Sequence, residues 1–531
     1  MSTKPNILLI IIDHVAFAGH YGNTRYPYQW PRLEQFAKQG TWFDRAYCTT
    51  PICTPARASL MTGMRPSSHG LRWNSEYDIL QSLKDFRSGQ KLYSHHLSEQ
   101  GYRNVFVGKW HCGKERLPQD YGMEGWGLPE YGNVYGSAAY KQYLAERDLE
   151  QPECFVEHNL LLPEEEQHTK VVLDPPNPWK YMEGCGVLEG PKEAHEQFFV
   201  ANMVADRLED LSKQKQPFCM TASFWGPHQP YFPSREFADL VNPEDIPEYP
   251  SWSEDLVNKP QRYRVHRDLR CDYRSHEKWP QWRIWQKVLA RSYAQGLQTD
   301  AALGILFDKL DELGIAKDTL VLVTADHGDG VATHGGVWDK SSTFPEEVAR
   351  IPMVVRWPGQ VAVNQRQDCL VNTTDVTATM IAAAGGSADS IDGENLLQWC
   401  ASDSTSVAHS QARDHLVCEH YGHSGDVLHQ RIVYWRDWKY VAAYGDGDEL
   451  YNLPEDPYEL NNLIGAEQAR EARQHCRTLL IADLKNERDK RAVKHPPSEL
   501  EFMLVKSTAR WPREERLLLH KLEHDHAMEL A

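Results

Sequence analysis

Residues 7–12 are six aliphatic side chains in a row, closed by Asp13. A run without polar alternation is what a strand covered on both faces looks like, as in the interior of a mostly parallel sheet. Similar runs recur at residues 105–108, 218–224, 319–324 and 351–355. Between them, residues 31–39, 198–213 and 289–313 carry apolar positions at helical spacing. Strand alternating with helix predicts an α/β fold: a large mixed, mostly parallel β-sheet sandwiched by helices. Polar residues gather just past the strands, at Asp13, Lys109, His228, and Asp326 with His327. Open α/β sheets place ligands at the carboxyl ends of their strands, so a shared site is expected there.

Two long stretches interrupt the alternation, near residues 115–196 and 233–280, both rich in Pro, Tyr, Trp and charge. Segments of that length in a compact domain are expected to carry function or to lie disordered. After Gly393 the texture changes to short strands at 414–419, 430–435 and 439–444, then a helical tail. The organisation predicted is a catalytic α/β domain over 1–394 and a smaller C-terminal α+β subdomain over 395–531. The last segment, 511–531, sets Leu517, Leu518 and Leu522 among many charges. It has two readings: a solvated surface helix, or a contact between copies in a homo-oligomer.

Composition narrows the function. Fifty-seven Lys and Arg against 75 Asp and Glu leave a net charge of −18, a field that repels polyanions, so nucleic acid is an unfavourable partner. Eleven cysteines are scattered without a CxxC pair, which does not read as a disulfide framework or a structural zinc site. The first apolar run is far shorter than the roughly 20 residues of a membrane span and has no small-residue cleavage site. A reducing, cytoplasmic location without membrane attachment is expected.

The most informative stretch is Cys53-Thr54-Pro55-Ala56-Arg57, followed by Ala58-Ser59-Leu60-Met61-Thr62-Gly63. Cys53 has two readings: an ordinary buried thiol or, with Arg57 four residues on, a nucleophile beside a cation at the entrance to a helix, where backbone N–H groups favour negative charge. This string resembles the signature of the type I, formylglycine-dependent sulfatases of the alkaline-phosphatase superfamily. The resemblance continues through Gly108-Lys109-Trp110-His111, Pro227-His228-Gln229-Pro230 and Thr324-Ala325-Asp326-His327-Gly328-Asp329. It then takes in Lys340 with Glu346 and ends in Glu449-Leu450-Tyr451-Asn452-Leu453. The two interruptions and the tail lie outside it.

The resemblance implies a sulfuric ester hydrolase in which a maturation enzyme converts Cys53 to formylglycine. The hydrated aldehyde would be the nucleophile, one hydroxyl attacking sulfur and the other later expelling sulfate. It assigns the metal to Asp13, Asp326, His327 and the modified Cys53. Such oxygen donors suit Ca²⁺, with Mn²⁺ or Mg²⁺ as alternatives. His14 stands where the family usually has a second Asp and is carried as a candidate ligand. Arg57 would hold the nucleophile and Lys109 and Lys340 the ester oxygens, with Asp326 taking the first proton. His228 with Lys340 would protonate the leaving oxygen, and His111 would take the second proton. Ala56 replaces a common Ser, but the Cys, Pro and Arg read by the maturation machinery are kept.

Phosphonate monoester hydrolases and phosphodiesterases of the superfamily share formylglycine, yet replace the Lys and His of the GKWH stretch. This chain keeps Lys109 and His111, so a sulfate monoester is the first reading. A catalytically impaired sulfate-ester-binding protein is the reading from another class. Arg262, Arg264, Arg267, Arg270, Arg274, Lys278, Arg283, Lys287 and Arg291 form a basic run interleaved with Tyr263, Tyr273, Trp279, Trp282 and Trp285. It is either the rim of a pocket for a small sulfated saccharide or a solvated helix whose Trp residues enter the core.

Overall fold

A computed structural model of the chain describes residues 4–15, 29–76, 83–159, 169–171, 184–267, 282–336, 339–400, 413–423 and 427–492. The strand that opens the fold is Asn6–Ile12, and its aliphatic side chains from Ile7 onward are fully buried. It pairs in parallel with Phe218–Ser223 on one side and Thr319–Ala325 on the other. These two neighbours are themselves buried at every position, which is why all three segments are predominantly apolar.

The central sheet has eight strands. Its order is Gln365–Asn372, Thr41–Tyr47, Met353–Arg356, Thr319–Ala325, Asn6–Ile12, Phe218–Ser223, Arg103–Lys109, Glu124–Leu128. Met353–Arg356 runs antiparallel to both neighbours, and every other adjacent pair is parallel. The helices Pro31–Ala37, Cys53–Thr62, Glu196–Ser212, Trp282–Glu312 and Thr373–Ala383 accompany it. Among the described residues no helix is long and apolar enough to cross a membrane.

The first long interruption does more than decorate the surface. It supplies the edge strand Glu124–Leu128, then the helix Ala138–Glu146 and a separate antiparallel sheet of Thr169–Val171, Glu153–Asn159 and Gly184–Glu189.

Near the C-terminus, His415–His420, Gln430–Trp435, Trp438–Ala443 and Glu449–Asn452 form an antiparallel sheet in chain order. Its side chains alternate between two destinations, as a period of two requires. Leu416, Cys418, Ile432 and Tyr434 join the main core. Val417, Val433 and Trp435 pack instead with Ala472, Cys476 and Leu480 of the helix Arg470–Ala492. The small sheet is thereby fixed between the main core and the terminal helix. The segment 511–531 and its Leu517, Leu518 and Leu522 lie outside the described residues.

Candidate active site

Cys53 is the first residue of the buried ten-residue helix Cys53–Thr62, so it sits where unpaired backbone N–H groups favour negative charge. The helix ends at Gly63, whose left-handed φ of 68° lets its N–H reach the Ser59 carbonyl at 2.8 Å. A second glycine sets the approach of a neighbouring strand. At Gly108, φ 119°, a Cβ would lie 1.8 Å from the Ser223 carbonyl oxygen, so only glycine lets the two strands meet before Lys109.

Side chains from two strand ends converge on this helix start. One ligand atom from each of Asp13, Cys53, Asp326 and His327 lies within 4.8 Å of all the others, and all four residues are buried. The Cys53 thiol is 3.1 Å from His327 Nε2. His327 Nδ1 donates to the Gly328 carbonyl at 2.8 Å, so the ring carries its proton there and turns the Nε2 lone pair toward Cys53. Burial holds this imidazole below its ordinary pKa despite Asp326, keeping it neutral as a metal ligand must be.

Arg57 ties the group together. Its Nε donates to Asp326 Oδ2 at 2.8 Å, Nη1 to the Lys109 carbonyl at 2.9 Å and to Ser223 Oγ at 2.8 Å, and Nη2 lies 3.6 Å from Asp13 Oδ1. Asp326 Oδ1 accepts the backbone N–H groups of His14 at 3.1 Å and His327 at 2.8 Å. Burial would raise the Asp326 carboxyl, but His327 and Arg57 outweigh it and hold the group well below the carboxylate range. Burial and Asp326 also push on Asp13, which Lys109 and Arg57 hold down. Lys109 donates to Asp13 Oδ2, while Asp13 Oδ1 is buried with no hydrogen-bond partner among the described residues. Two adjacent carboxylates, one with an oxygen unclaimed, together with a neutral imidazole and the residue-53 side chain, fit a divalent cation.

A second layer lies against the first. Lys340 donates to Asp339 at 2.7 Å and sits 3.2 Å from His228 Nε2. Burial would lower the lysine, yet Asp339 holds it above its ordinary value, so it carries charge. His228 Nδ1 donates to the Gln229 carbonyl at 2.6 Å, which leaves Nε2 as the acceptor facing Lys340. Burial and Lys340 press this imidazole well below its ordinary pKa. His111 meets Glu76 at 2.8 Å through Nε2, and the same ring lies against Cys53. Burial would depress it, but Glu76 and Cys53 raise it above its ordinary value.

His14 departs from the metal expectation. Its imidazole groups with His228 and Asp339 instead, 3.3 Å from both Asp329 and Asp339. Only its backbone N–H serves the first layer. His14, His111 and Asp339 have φ of 62°, 47° and 63°. Three non-glycine residues in that strained region mark a site whose surroundings over-determine it.

All the other predicted residues, Asp13, Cys53, Arg57, Lys109, His111, His228, Asp326, His327 and Lys340, come together here. Sequence reasoning missed Glu76, Tyr131, Ser223 and Asp339. Tyr131 places its ring 4.2 Å from the Lys109 ammonium and comes from the first interruption, where no motif marks it. Asp339 stood in view beside Lys340.

The basic run is corrected in part. Arg262 is buried against Asp446 and Glu449, Arg264 donates to the Leu256 carbonyl at 2.8 Å, and Arg291 pairs with Glu157 at 2.8 Å. Trp285 and Tyr263 enter the interior. Those three arginines are engaged in contacts within the fold. Arg270, Arg274, Lys278, Tyr273 and Trp279 lie outside the described residues.

A buried, charged cluster at a helix start is an arrangement suited to an anionic ester. The sulfatase family model matches residues 5–387, and the C-terminal model of N-sulphoglucosamine sulphohydrolase matches 333–487. The chain belongs to the sulfatase family, within the alkaline-phosphatase superfamily, and is a sulfatase enzyme. An arylsulfatase of Clostridium perfringens is 27% identical over 509 residues, covering 91% of this chain and 94% of its own. A choline-sulfatase of Rhizobium meliloti is 27% identical over 492 residues, covering 87% and 82%. Among solved structures, a protein in complex with its substrate D-glucosamine-2-N,6-O-disulfate superposes with a TM-score of 0.69. It is 18% identical, covering 92% of this chain and 99% of that one. A phosphonate monoester hydrolase from Silicibacter pomeroyi gives 0.71 at 16% identity, covering 91% and 96%. At these identities the structural likeness establishes the fold.

Proposed function

We propose that this chain hydrolyses the sulfate monoester of a small sulfated saccharide, with Cys53 oxidised to formylglycine by a maturation enzyme. The observation that carries the reading is the meeting of Cys53 with Asp13, Asp326 and His327, enclosed by Lys109, Lys340, His111 and His228. The saccharide is supported by the sugar disulfate named for a structural neighbour. The residue-53 side chain, Asp13, Asp326 and His327 would hold one divalent cation, Ca²⁺ first, with His14 outside the set. That cation and formylglycine would supply, when present, a Lewis acid for the ester oxygens and a hydrated aldehyde nucleophile.

The protein's own groups then have separable tasks. Arg57 orients the residue-53 side chain and fixes both carboxylates. Lys109 and Lys340 neutralise an ester that would otherwise repel an oxygen nucleophile. Lys340 brings ammonium protons to the leaving oxygen, and His228, with its proton-bearing Nδ1 committed to Gln229, steadies that lysine. His111 accepts a proton from the residue-53 side. Asp326 is assigned to holding, since Oδ1 takes two backbone donors and Oδ2 takes Arg57.

The proposal extends to the cytoplasm, supported by the nine other described cysteines, none of which is in a disulfide among the described residues. Two measurements test it. Mass spectrometry of the residue-53 peptide is expected to show the formylglycine form, lighter than cysteine. Paired sulfate, phosphate and phosphonate esters, followed by defined sulfated mono- and disaccharides, are expected to give the fastest release from a saccharide sulfate. A faster phosphonate reaction would transfer the chain to the hydrolase branch typified by its structural neighbour, and an unmodified, inactive Cys53 would leave a binding protein.

A further inference from the structure

The residue facing His111 has no role in any motif. Glu76 follows the helix Cys53–Thr62 by a loop and places Oε1 2.8 Å from His111 Nε2. That loop is pinned to the helix start beside the nucleophile: Asn74 Oδ1 accepts the Thr54 N–H at 3.0 Å, and the Ser75 N–H reaches Thr54 Oγ1 at 3.4 Å. Tyr131 closes the other side of the imidazole, edge to face at 5.8 Å. The ring is therefore gripped from two directions and by one directional bond.

We propose that Glu76 is a positioning residue that fixes the tautomer and orientation of His111, so that Nδ1 is the nitrogen offered to the residue-53 side chain. A carboxylate only accepts, so the Nε2 proton must point at Glu76. In the neutral ring the lone pair is then on Nδ1, which makes no other hydrogen bond among the described residues. The proton transferred in the second half of the turnover moves from a hydroxyl on residue 53 to Nδ1, while Glu76 keeps its partner on Nε2 throughout. Carboxylates behind an imidazole act this way elsewhere, and their removal costs about 10- to 100-fold.

The inference rests on the function proposed above, and the test separates the two. In Glu76→Gln, kcat and KM for a chromogenic sulfate ester are expected to fall together by about 10- to 100-fold, with kcat/KM within threefold of the parent. Glu76→Asp is expected to recover part of kcat. A readout free of turnover is ¹⁵N-histidine NMR of the Cys53→Ala protein, with His111→Ala used for assignment. The His111 signals are expected to show the Nε2–H tautomer with Glu76 and to lose it with Gln. If His111→Ala shows the coupled fall and Glu76→Gln does not, the Glu76 role is overturned while the function stands. If kcat/KM falls as far as kcat in both variants, His111 acts before the ester is cleaved and both ideas fail. An unchanged tautomer in Glu76→Gln overturns the positioning role alone.

Discussion

Arg57→Lys is the sharpest test of how the site is built, because it keeps the charge and removes the fork. The guanidinium makes three hydrogen bonds of 2.8–2.9 Å, to Asp326, the Lys109 carbonyl and Ser223, with a fourth approach to Asp13 at 3.6 Å. One ammonium cannot reach all of them, and Arg to Lys at such a site is not conservative. The Lys109 carbonyl is partly protected, since Ser223 Oγ also donates to it at 2.7 Å. Two charged hydrogen bonds are therefore lost outright, at the low end of about 1.5–3 kcal/mol each, giving about 3 kcal/mol of lost stability. The barrier should rise by about 2.7–4 kcal/mol, as for removal of one well-placed donor, which lowers kcat by about 10²- to 10³-fold. Rates must be expressed per site carrying formylglycine, counted by mass spectrometry, because the maturation proposed above would also read Arg57. The fall is expected in sulfate release from a chromogenic ester, together with a lower urea midpoint. A variant within threefold of the parent rate per modified site, or one with an unshifted midpoint, would refute the claim that Arg57 organises the two carboxylates.

Other consequences can be checked separately. His69, His420 and His429 are buried, and burial holds each down to about 3 from an ordinary 6.5. The unfolded chain binds protons there that the fold refuses, so stability is full above about 6.5 and is lost as pH falls toward 3. At pH 5.5 each costs about 1.4 kcal/mol, which a urea titration at pH 7.5 and 5.5 measures; equal midpoints would contradict it. Arg262→Met leaves Glu449 and Asp446 without their buried cation and should cost about 3–5 kcal/mol in chemical denaturation while KM stays unchanged. A raised KM at parental stability would restore the pocket-rim reading of the basic run. Chelation should lower both activity and the melting temperature, since the two buried carboxylates Asp13 and Asp326 then lose a cation that Lys109 and Arg57 only partly replace. Calcium or manganese should restore both, and a chelated protein of unchanged melting temperature would argue against a cation at this position.

The three innermost strands were legible because burial on both faces leaves no room for polar alternation. Thr41–Tyr47 was not, since half-buried Asp44 and Arg45 interrupt it where the outer sheet meets solvent. Gln365–Asn372 begins with exposed polar residues at the sheet edge, and Glu124–Leu128 carries two glycines at the opposite edge. Edge strands answer to neighbours on one side only, so their patterns are weak. The site divides along the same line. Residues adjacent in a motif, such as Lys109 with His111 or Asp326 with His327, could be taken together from sequence. Glu76 could not, because its meaning comes from a loop folded back on Thr54 and from a ring 35 residues away.

His14 shows why a motif position does not carry its role with it. The backbone there still does what the first layer needs, donating its N–H to Asp326, and that depends on chain path and not on side chain. The imidazole turns into the second layer, 3.3 Å from Asp329, which accepts from Tyr231, and 3.3 Å from Asp339, which accepts from Lys340. An aspartate at this position would bring a further negative charge toward that pair, and like charges that close in a buried setting cannot all stay ionised. A neutral or protonated ring avoids the conflict and can bridge both carboxylates. With the His14 imidazole turned toward His228 and Asp339, the first layer consists of Asp13, Asp326, His327 and residue 53.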